Sequence, residues 1–222
     1  MKRSIEMIAL VTLVFVNAML ALPGEINSAR AGALAGGKFI GSGQIEQLKD
    51  DPFVTHFRLI DELRFEQADG EAWVTPSNTI LDGRSVPLLF NKLIGNPFNL
   101  DFRKTAITYD FAVKSKFHPW KSAQRMFYDG AVTEGVDPVK AKVMYTLLSA
   151  SGSRWAQHSP DGCFNRCHNR FKELEWRPTV NEQQLISLLD WVRKENPSLD
   201  EIDQQASTAI IDNGPHIKGS MR

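Results

Sequence analysis

The first half of the chain carries short apolar runs separated by turn residues, a pattern typical of antiparallel strands. Apolar residues recur between Phe53 and Val74 and are interrupted by the dipeptide Asp69-Gly70. An Asp-Gly pair between two such runs predicts a β-hairpin. Turn-forming residues then fill positions 76–87, where we expect a loop.

Further along, apolar residues recur at the three- and four-residue spacing of amphipathic helices. Asp101 is a good N-cap for the first helix, and Asp137-Pro138 predicts the start of the third. Thr179 and Glu182 are spaced as a capping box for the last helix. The four predicted helices cover residues 101–116, 121–133, 137–152 and 179–194. The sequence therefore predicts an α+β fold, in which a small antiparallel β-hairpin sheet is followed by a helical bundle.

The N-terminus has the order of a secretory signal. Lys2 and Arg3 precede an apolar stretch over residues 7–22, and two small-x-small sites follow, Ala29-Arg30-Ala31 and Ala33-Leu34-Ala35. This order predicts a signal peptide over residues 1–35 that is cleaved on export, so we expect a periplasmic or secreted protein. The apolar stretch is close to the roughly 18 residues that span a bilayer, so an uncleaved membrane anchor is the alternative.

Composition divides the rest of the chain into four parts. Residues 36–52 are rich in glycine and predict a flexible linker, and residues 53–155 carry the α+β domain. Residues 156–197 predict a helical extension that contains a pair of cysteines. Residues 198–222 predict a polar tail that is poorly packed.

The charge balance bears on the class of partner. The chain contains 26 Lys and Arg residues and 26 Asp and Glu residues. Nucleic-acid-binding proteins carry a basic surplus or a basic stripe, so we expect no nucleic-acid partner. We expect membrane contact only through the signal or an uncleaved anchor. The expected partner is an envelope component or another protein, whose identity the sequence does not give.

The two cysteines admit three interpretations. In an oxidising compartment, Cys163 and Cys167 first predict a local disulfide. The run Cys163-Phe-Asn-Arg-Cys167-His168 is also a looser relative of the C-x-x-C-H haem-attachment motif, which would make this a c-type haem protein with His168 as an axial ligand. Free thiols, or a metal site with His158 and His168, are the third interpretation.

Three segments carry a resemblance to a known family. They are Leu81-Asp82-Gly83-Arg84-Ser85-Val86-Pro87, Tyr109-Asp110-Phe111 and Ala123-Gln124-Arg125-Met126-Phe127. In this order they resemble the phage- and bacteria-associated family called domain of unknown function 1353. The family pattern reads Thr-Asp-Gly-Ala-Ser-Val-Pro, then His-Asp-Tyr-Leu-Tyr, then Ala-Asp-x-x-Phe, followed by an apolar helix. The resemblance covers residues 57–155.

The His-Asp pair of that pattern is also similar to the one in secreted phospholipases A2. That similarity implies a His base that activates water, a second Asp that orients the His, and oxygen ligands that hold calcium. Carried over to this chain, Asp82 and Asp110 become candidate ligands of a divalent cation such as calcium. Asp110, Ser85 and Tyr109 become candidate catalytic residues.

The chain departs from both patterns at the two positions that serve proton transfer. Tyr109 stands at the His position and Gln124 at the position of the second Asp. A phenol with a pKa of about 10 is a poor base at neutral pH, and a carboxamide cannot stabilise an imidazolium. We therefore interpret the chain as a degenerate, non-catalytic binding or accessory module of the cell envelope. The alternative is a cation-dependent hydrolase of lipid or cell-wall material, in which His118 could replace the missing base.

Each candidate also has a purely structural interpretation. Asp110 lies on the apolar face of its predicted helix, where Lys114 is placed to pair with it one turn later. Asp82 and Ser85 are residue types that commonly bond backbone N–H groups in turns. Tyr109 would then be a packed aromatic residue whose hydroxyl is hydrogen-bonded.

Overall fold

The computed structural model describes residues 36–49, 55–96, 98, 101–158 and 172–211. All of them belong to one compact unit of the chain. Eight strands are described: β1 (Gly37–Ile40), β2 (Ile45–Leu48), β3 (His56–Leu59), β4 (Leu63–Gln67), β5 (Ala72–Thr75), β6 (Ile80–Leu81), β7 (Arg154–His158) and β8 (Lys172–Trp176). Six α-helices are described: α1 (Leu88–Leu93), α2 (Arg103–Ser115), α3 (Trp120–Thr133), α4 (Pro138–Ser151), α5 (Glu182–Glu195) and α6 (Leu199–Ala206). A 3₁₀ turn over Ser207–Ala209 follows α6.

The hairpin predicted around Asp69-Gly70 is confirmed. Strands β4 and β5 pair antiparallel, with Phe65 opposite Trp73. The Asp69 carboxylate accepts a hydrogen bond from the Glu71 backbone N–H at 3.0 Å. Gly70 has a φ of 92°, which a residue with a Cβ rarely adopts. The turn chemistry therefore fixes the register of the hairpin.

The strands form two three-stranded antiparallel sheets, ordered β1-β4-β5 and β2-β3-β6, and one two-stranded sheet of β7 and β8. Together with the helices they confirm the predicted α+β class.

The flexible linker predicted over residues 36–52 is wrong for residues 36–49, which contain β1 and β2. Phe39 stacks on Phe65 with ring centroids 4.5 Å apart. Gly37 packs so closely on this ring that a Cβ would clash with it. The glycine therefore permits close packing here.

The predicted helices are confirmed, with ends that differ by a few residues. Helix α3 packs against both α2 and α4, and Ala106, Ile107 and Val113 are buried on the apolar face of α2. An aromatic cluster of Phe90, Phe102, Phe127 and Tyr109 joins α1, α2 and α3 through edge-to-face contacts, with ring centroids 5.3–6.3 Å apart. This cluster holds Tyr109 in the core.

Two of the predicted caps are wrong. Helix α2 begins after Phe102, and Asp101 does not cap it. The Glu134 carboxylate, from the end of α3, instead accepts hydrogen bonds from the backbone N–H groups of Lys104 and Thr105, at 3.1 and 2.8 Å. Helix α5 has Asn181 as its N-cap in place of Thr179, because the Asn181 side chain accepts from the backbone N–H of Gln184. The cap at Asp137, which accepts from Lys140, is confirmed.

The C-terminal part differs most from expectation. Where the structure describes residues 156–197, the predicted helical extension contains the antiparallel pair β7–β8, and α5 is its one described helix. The polar tail is wrong for residues 199–209, because α6 and the 3₁₀ turn bury Ile202, Ala206 and Ala209. Cys163, Cys167 and His168 lie outside the described residues, so the disulfide and haem interpretations stay predictions. The signal peptide lies outside them as well.

Asp203 links α6 to helices α3 and α4 of the bundle. Its Oδ1 accepts hydrogen bonds from the Tyr145 hydroxyl at 2.7 Å and the Ser149 hydroxyl at 3.2 Å. Its Oδ2 lies 3.0 Å from the Arg125 guanidinium. Along the part of the chain that the structure describes, no helix is long and apolar enough to cross a bilayer.

Candidate functional site

The Asp82 loop and helix α2 meet at a single ammonium group. Lys114 Nζ lies 2.8 Å from Asp110 Oδ2 and 3.2 Å from Asp82 Oδ1. The same Nζ donates to the Ile80 carbonyl at 3.2 Å. The structure thus brings together the two carboxylates predicted to bind a cation, and it confirms the predicted pair between Asp110 and Lys114. The positive charge between the carboxylates is supplied by the chain itself.

The local sequence explains how the loop reaches the helix. Asp82 Oδ1 accepts from the Arg84 backbone N–H at 2.9 Å, and Gly83 takes a positive φ of 66°. This turn places Ser85 in the interior, where it is 4% exposed. The Ser85 hydroxyl donates to Asp110 Oδ1 at 2.7 Å. Asp110 therefore has a hydrogen-bond donor at Oδ1, the Ser85 hydroxyl, and an ion-pair partner at Oδ2, the Lys114 ammonium.

Burial and ion pairing shift the pKa values of the two carboxylates in opposite directions. Burial raises the pKa of Asp110, and the Lys114 ammonium and the Ser85 hydroxyl offset only part of that rise. Burial also opposes ionisation of Asp82, but the Arg84 N–H and the Lys114 ammonium outweigh it. The pKa of Asp82 therefore lies below its ordinary value. In this arrangement the Lys114 ammonium compensates the negative charge of the Asp82 and Asp110 carboxylates.

Tyr109 is unsuited to act as a base. The side chain is 1% exposed, and its ring lies 5.3 Å from that of Phe127 in an edge-to-face contact. Burial raises the pKa of the phenol well above its ordinary value, although the charge of Arg177 opposes this. The predicted hydrogen bond of its hydroxyl is wrong within the described residues, where the oxygen has no partner. Tyr109 therefore serves as a packing residue.

Gln124 is a structural residue as well. It is 1% exposed, and its Nε2 donates to the Leu148 carbonyl at 2.9 Å. Its Oε1 lies 3.3 Å from the Ser149 hydroxyl oxygen, whose single proton is shared with Asp203. Both partners belong to α4, so the side chain joins α3 to α4.

The structure does not place His118 with the carboxylates. Its Nδ1 lies 2.9 Å from Glu71 Oε1, and its ring is 4.0 Å from that of Trp73. Its carbonyl accepts from the Trp155 indole N–H at 2.9 Å. These contacts hold the break between α2 and α3 against β5 and β7. His118 therefore belongs to this break in the chain rather than to the carboxylate site.

Sequence reasoning missed Arg177, which follows β8. Its guanidinium donates to the Arg84 carbonyl at 2.7 Å and to the Ser153 hydroxyl at 3.0 Å. Arg177 and Arg84 line an open cleft of about 770 Å³, beside the rings of Phe57 and Phe98. An arginine before a proline carries no local signal, and only the pairing of β7 with β8 brings it to the Asp82 loop.

The donors for a resident metal are few. Within the described ranges, no three His, Cys, Asp or Glu side chains cluster as a metal site would require. Asp82 and Asp110 offer oxygen ligands, but Lys114 contacts both of them. Calcium takes six to eight oxygen ligands, so this pair alone is a poor site while the ammonium is present.

The site lies within a segment that is similar to a known family. Residues 57–148 match the family described as Protein of unknown function (DUF1353). The match covers 92 of the 222 residues of the chain. The predicted resemblance is confirmed, although the match ends at residue 148 rather than at Trp155. The DUF1353 match contains Asp82, Ser85, Asp110 and Lys114, whereas Arg177 lies beyond it.

Two curated relatives are similar to the chain. The uncharacterized protein y4iH of Sinorhizobium fredii is 28% identical over 122 residues, which cover 55% of this chain and 50% of that protein. The uncharacterized protein y4jT of the same organism is 32% identical over 99 residues, which cover 45% of this chain and 30% of that protein. The chain thus spans half or less of the length of these relatives. No solved structure matches it. Neither relative's name refers to a phospholipase, so that similarity stays a hypothesis.

Proposed function

We propose that this protein is an exported, non-catalytic DUF1353 protein that acts as a binding or accessory module in the cell envelope. One observation carries the proposal: the Lys114 ammonium contacts both Asp82 and Asp110. A calcium-dependent hydrolase uses such carboxylates to hold a cation that polarises its substrate. Here the chain's own cation pairs with both of them.

The neighbouring side chains support the same proposal. Water activation needs a base whose pKa is near the working pH. The phenol of Tyr109 is buried with a raised pKa, and Gln124 is engaged with the backbone of α4. A site that keeps its scaffold without a base or an accessible cation position is suited to binding rather than to turnover.

The cleft beside the Asp82 loop is the proposed binding surface. Lys114 pairs with Asp82, so the guanidinium groups of Arg84 and Arg177 contribute the positive charge of the lining. The Arg84 guanidinium makes no hydrogen bond or salt bridge with the described residues, although its charge helps to lower the pKa of Asp82. Guanidinium groups bind carboxylates and phosphates, and the half-buried ring of Phe57 offers apolar surface. The expected ligand is therefore an envelope component with an anionic group and an apolar portion.

Dodecyl phosphate is a suitable probe of this cleft, with binding measured by isothermal titration calorimetry below its micelle concentration. We expect wild-type protein to bind it and Arg84→Ala to weaken binding by about tenfold, because one charge-assisted contact is lost. Arg193→Ala on α5 is the matched control and should bind like wild type. Absence of binding, or equal binding by Arg84→Ala, would contradict the proposed surface.

A further inference from the structure

A second concave surface lies in the C-terminal part of the protein, outside the DUF1353 match. It is a groove of about 440 Å³ between α5 and the end of α6 with its 3₁₀ turn. A volume of this size is within the range of small-ligand sites. Its lining includes Gln183, Gln184, Leu188, Trp191 and Gln205.

The lining of this groove contains no charged side chain, although α5 itself is rich in charge. Glu182, Asp190, Arg193, Lys194 and Glu195 all belong to α5 and none of them lines the groove. Positions 181, 184, 188 and 191 recur at helical spacing, so they share one face of the helix. An uncharged stripe on a charged helix disfavours ionic ligands and suits a neutral polar one.

Carboxamides dominate the polar part of the groove. The side chains of Gln183, Gln184 and Gln205 are exposed and make no side-chain hydrogen bond with any described residue. Each carboxamide offers two donors and one acceptor oxygen. Three unpaired carboxamides facing one groove therefore provide donors and acceptors in the mixture that hydroxyl groups require.

Trp191 supplies an aromatic surface in the same groove. It is half-buried and packs against the core, which fixes the position of its ring. The indole has a large apolar face with a polar edge. The C–H faces of a pyranose ring pack on such a surface, while its hydroxyl groups reach the neighbouring carboxamides.

We propose that this groove binds a neutral oligosaccharide. The proposal combines the uncharged lining, the three unpaired carboxamides and the Trp191 ring. It does not depend on the cleft beside the Asp82 loop, because the two surfaces share no lining residue. A chain with both surfaces would bind an anionic, apolar component at one and a glycan at the other.

The test uses chitotetraose and cellotetraose as probes, titrated into the purified protein by calorimetry up to about 10 mM. We expect wild type to bind at least one of them with a Kd of about 0.1–1 mM. Gln184→Ala and Gln205→Ala should each weaken binding about fivefold or more, because each removes a hydrogen-bonding group. Gln204→Ala is the matched control, since Gln204 is exposed on α6 and does not line the groove.

Trp191→Ala should abolish binding, and Trp191→Phe should retain part of it if the variant keeps the wild-type circular dichroism spectrum. The two glutamine variants do not disturb the core, so they keep the test decisive even if Trp191→Ala unfolds. Binding of neither saccharide, or binding that the glutamine variants leave unchanged, would overturn the proposal. So would preferential binding of a neutral Gly-Ser hexapeptide, which would make the groove a peptide site.

Discussion

Burial destabilises the ionised form of the Asp110 carboxyl, and the ion pair with Lys114 stabilises it. The carboxylate is 1% exposed, and an unpaired charge at such a position is strongly destabilising. The sequence predicted its pairing with Lys114, because residues four apart on a helix are neighbours. It did not predict that Lys114 also contacts Asp82, since that contact depends on how the loop folds back on α2. The chemistry of the site could therefore not be predicted without one long-range contact, that between Lys114 and Asp82.

Asp129 on α3 provides a pH-dependent test of the packing. Burial raises its pKa to about 6, although hydrogen bonds from the Gln67 side chain and the Gly36 backbone favour the carboxylate. Between about pH 4 and pH 6, the Asp129 carboxyl therefore keeps its proton in the folded protein, whereas in the unfolded chain, where its pKa is about 3.9, it has lost the proton. The stabilising effect of this proton is fully present below about pH 4 and is lost as the pH rises through about 6.

Asp129→Asn should remove this pH dependence. Between pH 4 and pH 7, the free energy of unfolding of wild type should fall relative to that of the variant by about 1–3 kcal/mol. Urea denaturation at several pH values measures both. A difference that stays constant over this range would show that Asp129 does not titrate in that window.

At the scale of elements, sequence reasoning located four of the six described helices and missed α1 and α6, and it misassigned two caps. The spacing of apolar residues defines a helix because burial of one face follows directly from it. A cap is harder to predict when the capping group comes from another element. Helix α2 is an example, since Glu134 at the end of α3 accepts from its first N–H groups.

Two variants compare the predicted cap with the observed one. Glu134→Ala should lower the free energy of unfolding by about 1–2 kcal/mol, because the N–H groups of Lys104 and Thr105 lose their acceptor. Asp101→Ala should change it by less than about 0.5 kcal/mol, because Asp101 is exposed and caps nothing. Urea denaturation measures both, and a larger effect at Asp101 would contradict the assignment.

At the scale of the whole molecule, the parts flanking the DUF1353 match were the hardest to predict. Strands β1 and β2 are short and glycine-flanked, and their pairing with β4 and β3 is not visible in local sequence. Helix α6 is polar on most faces, yet Asp203 attaches it to Tyr145 and Ser149. Both elements are specified by long-range contacts, whereas the family segments could be recognised from their motifs.

Export is a property of the whole chain and has its own test. We expect the full-length gene product, recovered from a periplasmic fraction, to have an intact mass that corresponds to cleavage near Ala31 or Ala35. Reduction should raise this mass by two hydrogens if Cys163 and Cys167 form a disulfide. An uncleaved mass would favour the membrane anchor, and a mass greater by one haem would favour the c-type haem protein.

The most direct test of the account is whether Lys114 takes the place of a bound cation. Thermal unfolding of wild type, Lys114→Met and the control Lys121→Met is measured with and without about 5 mM calcium. We expect calcium to leave the Tm of wild type and Lys121→Met unchanged. It should raise the Tm of Lys114→Met by a few degrees, because Asp82 and Asp110 then lack their positive partner. A rise in the Tm of wild type, or no response of Lys114→Met, would contradict the account.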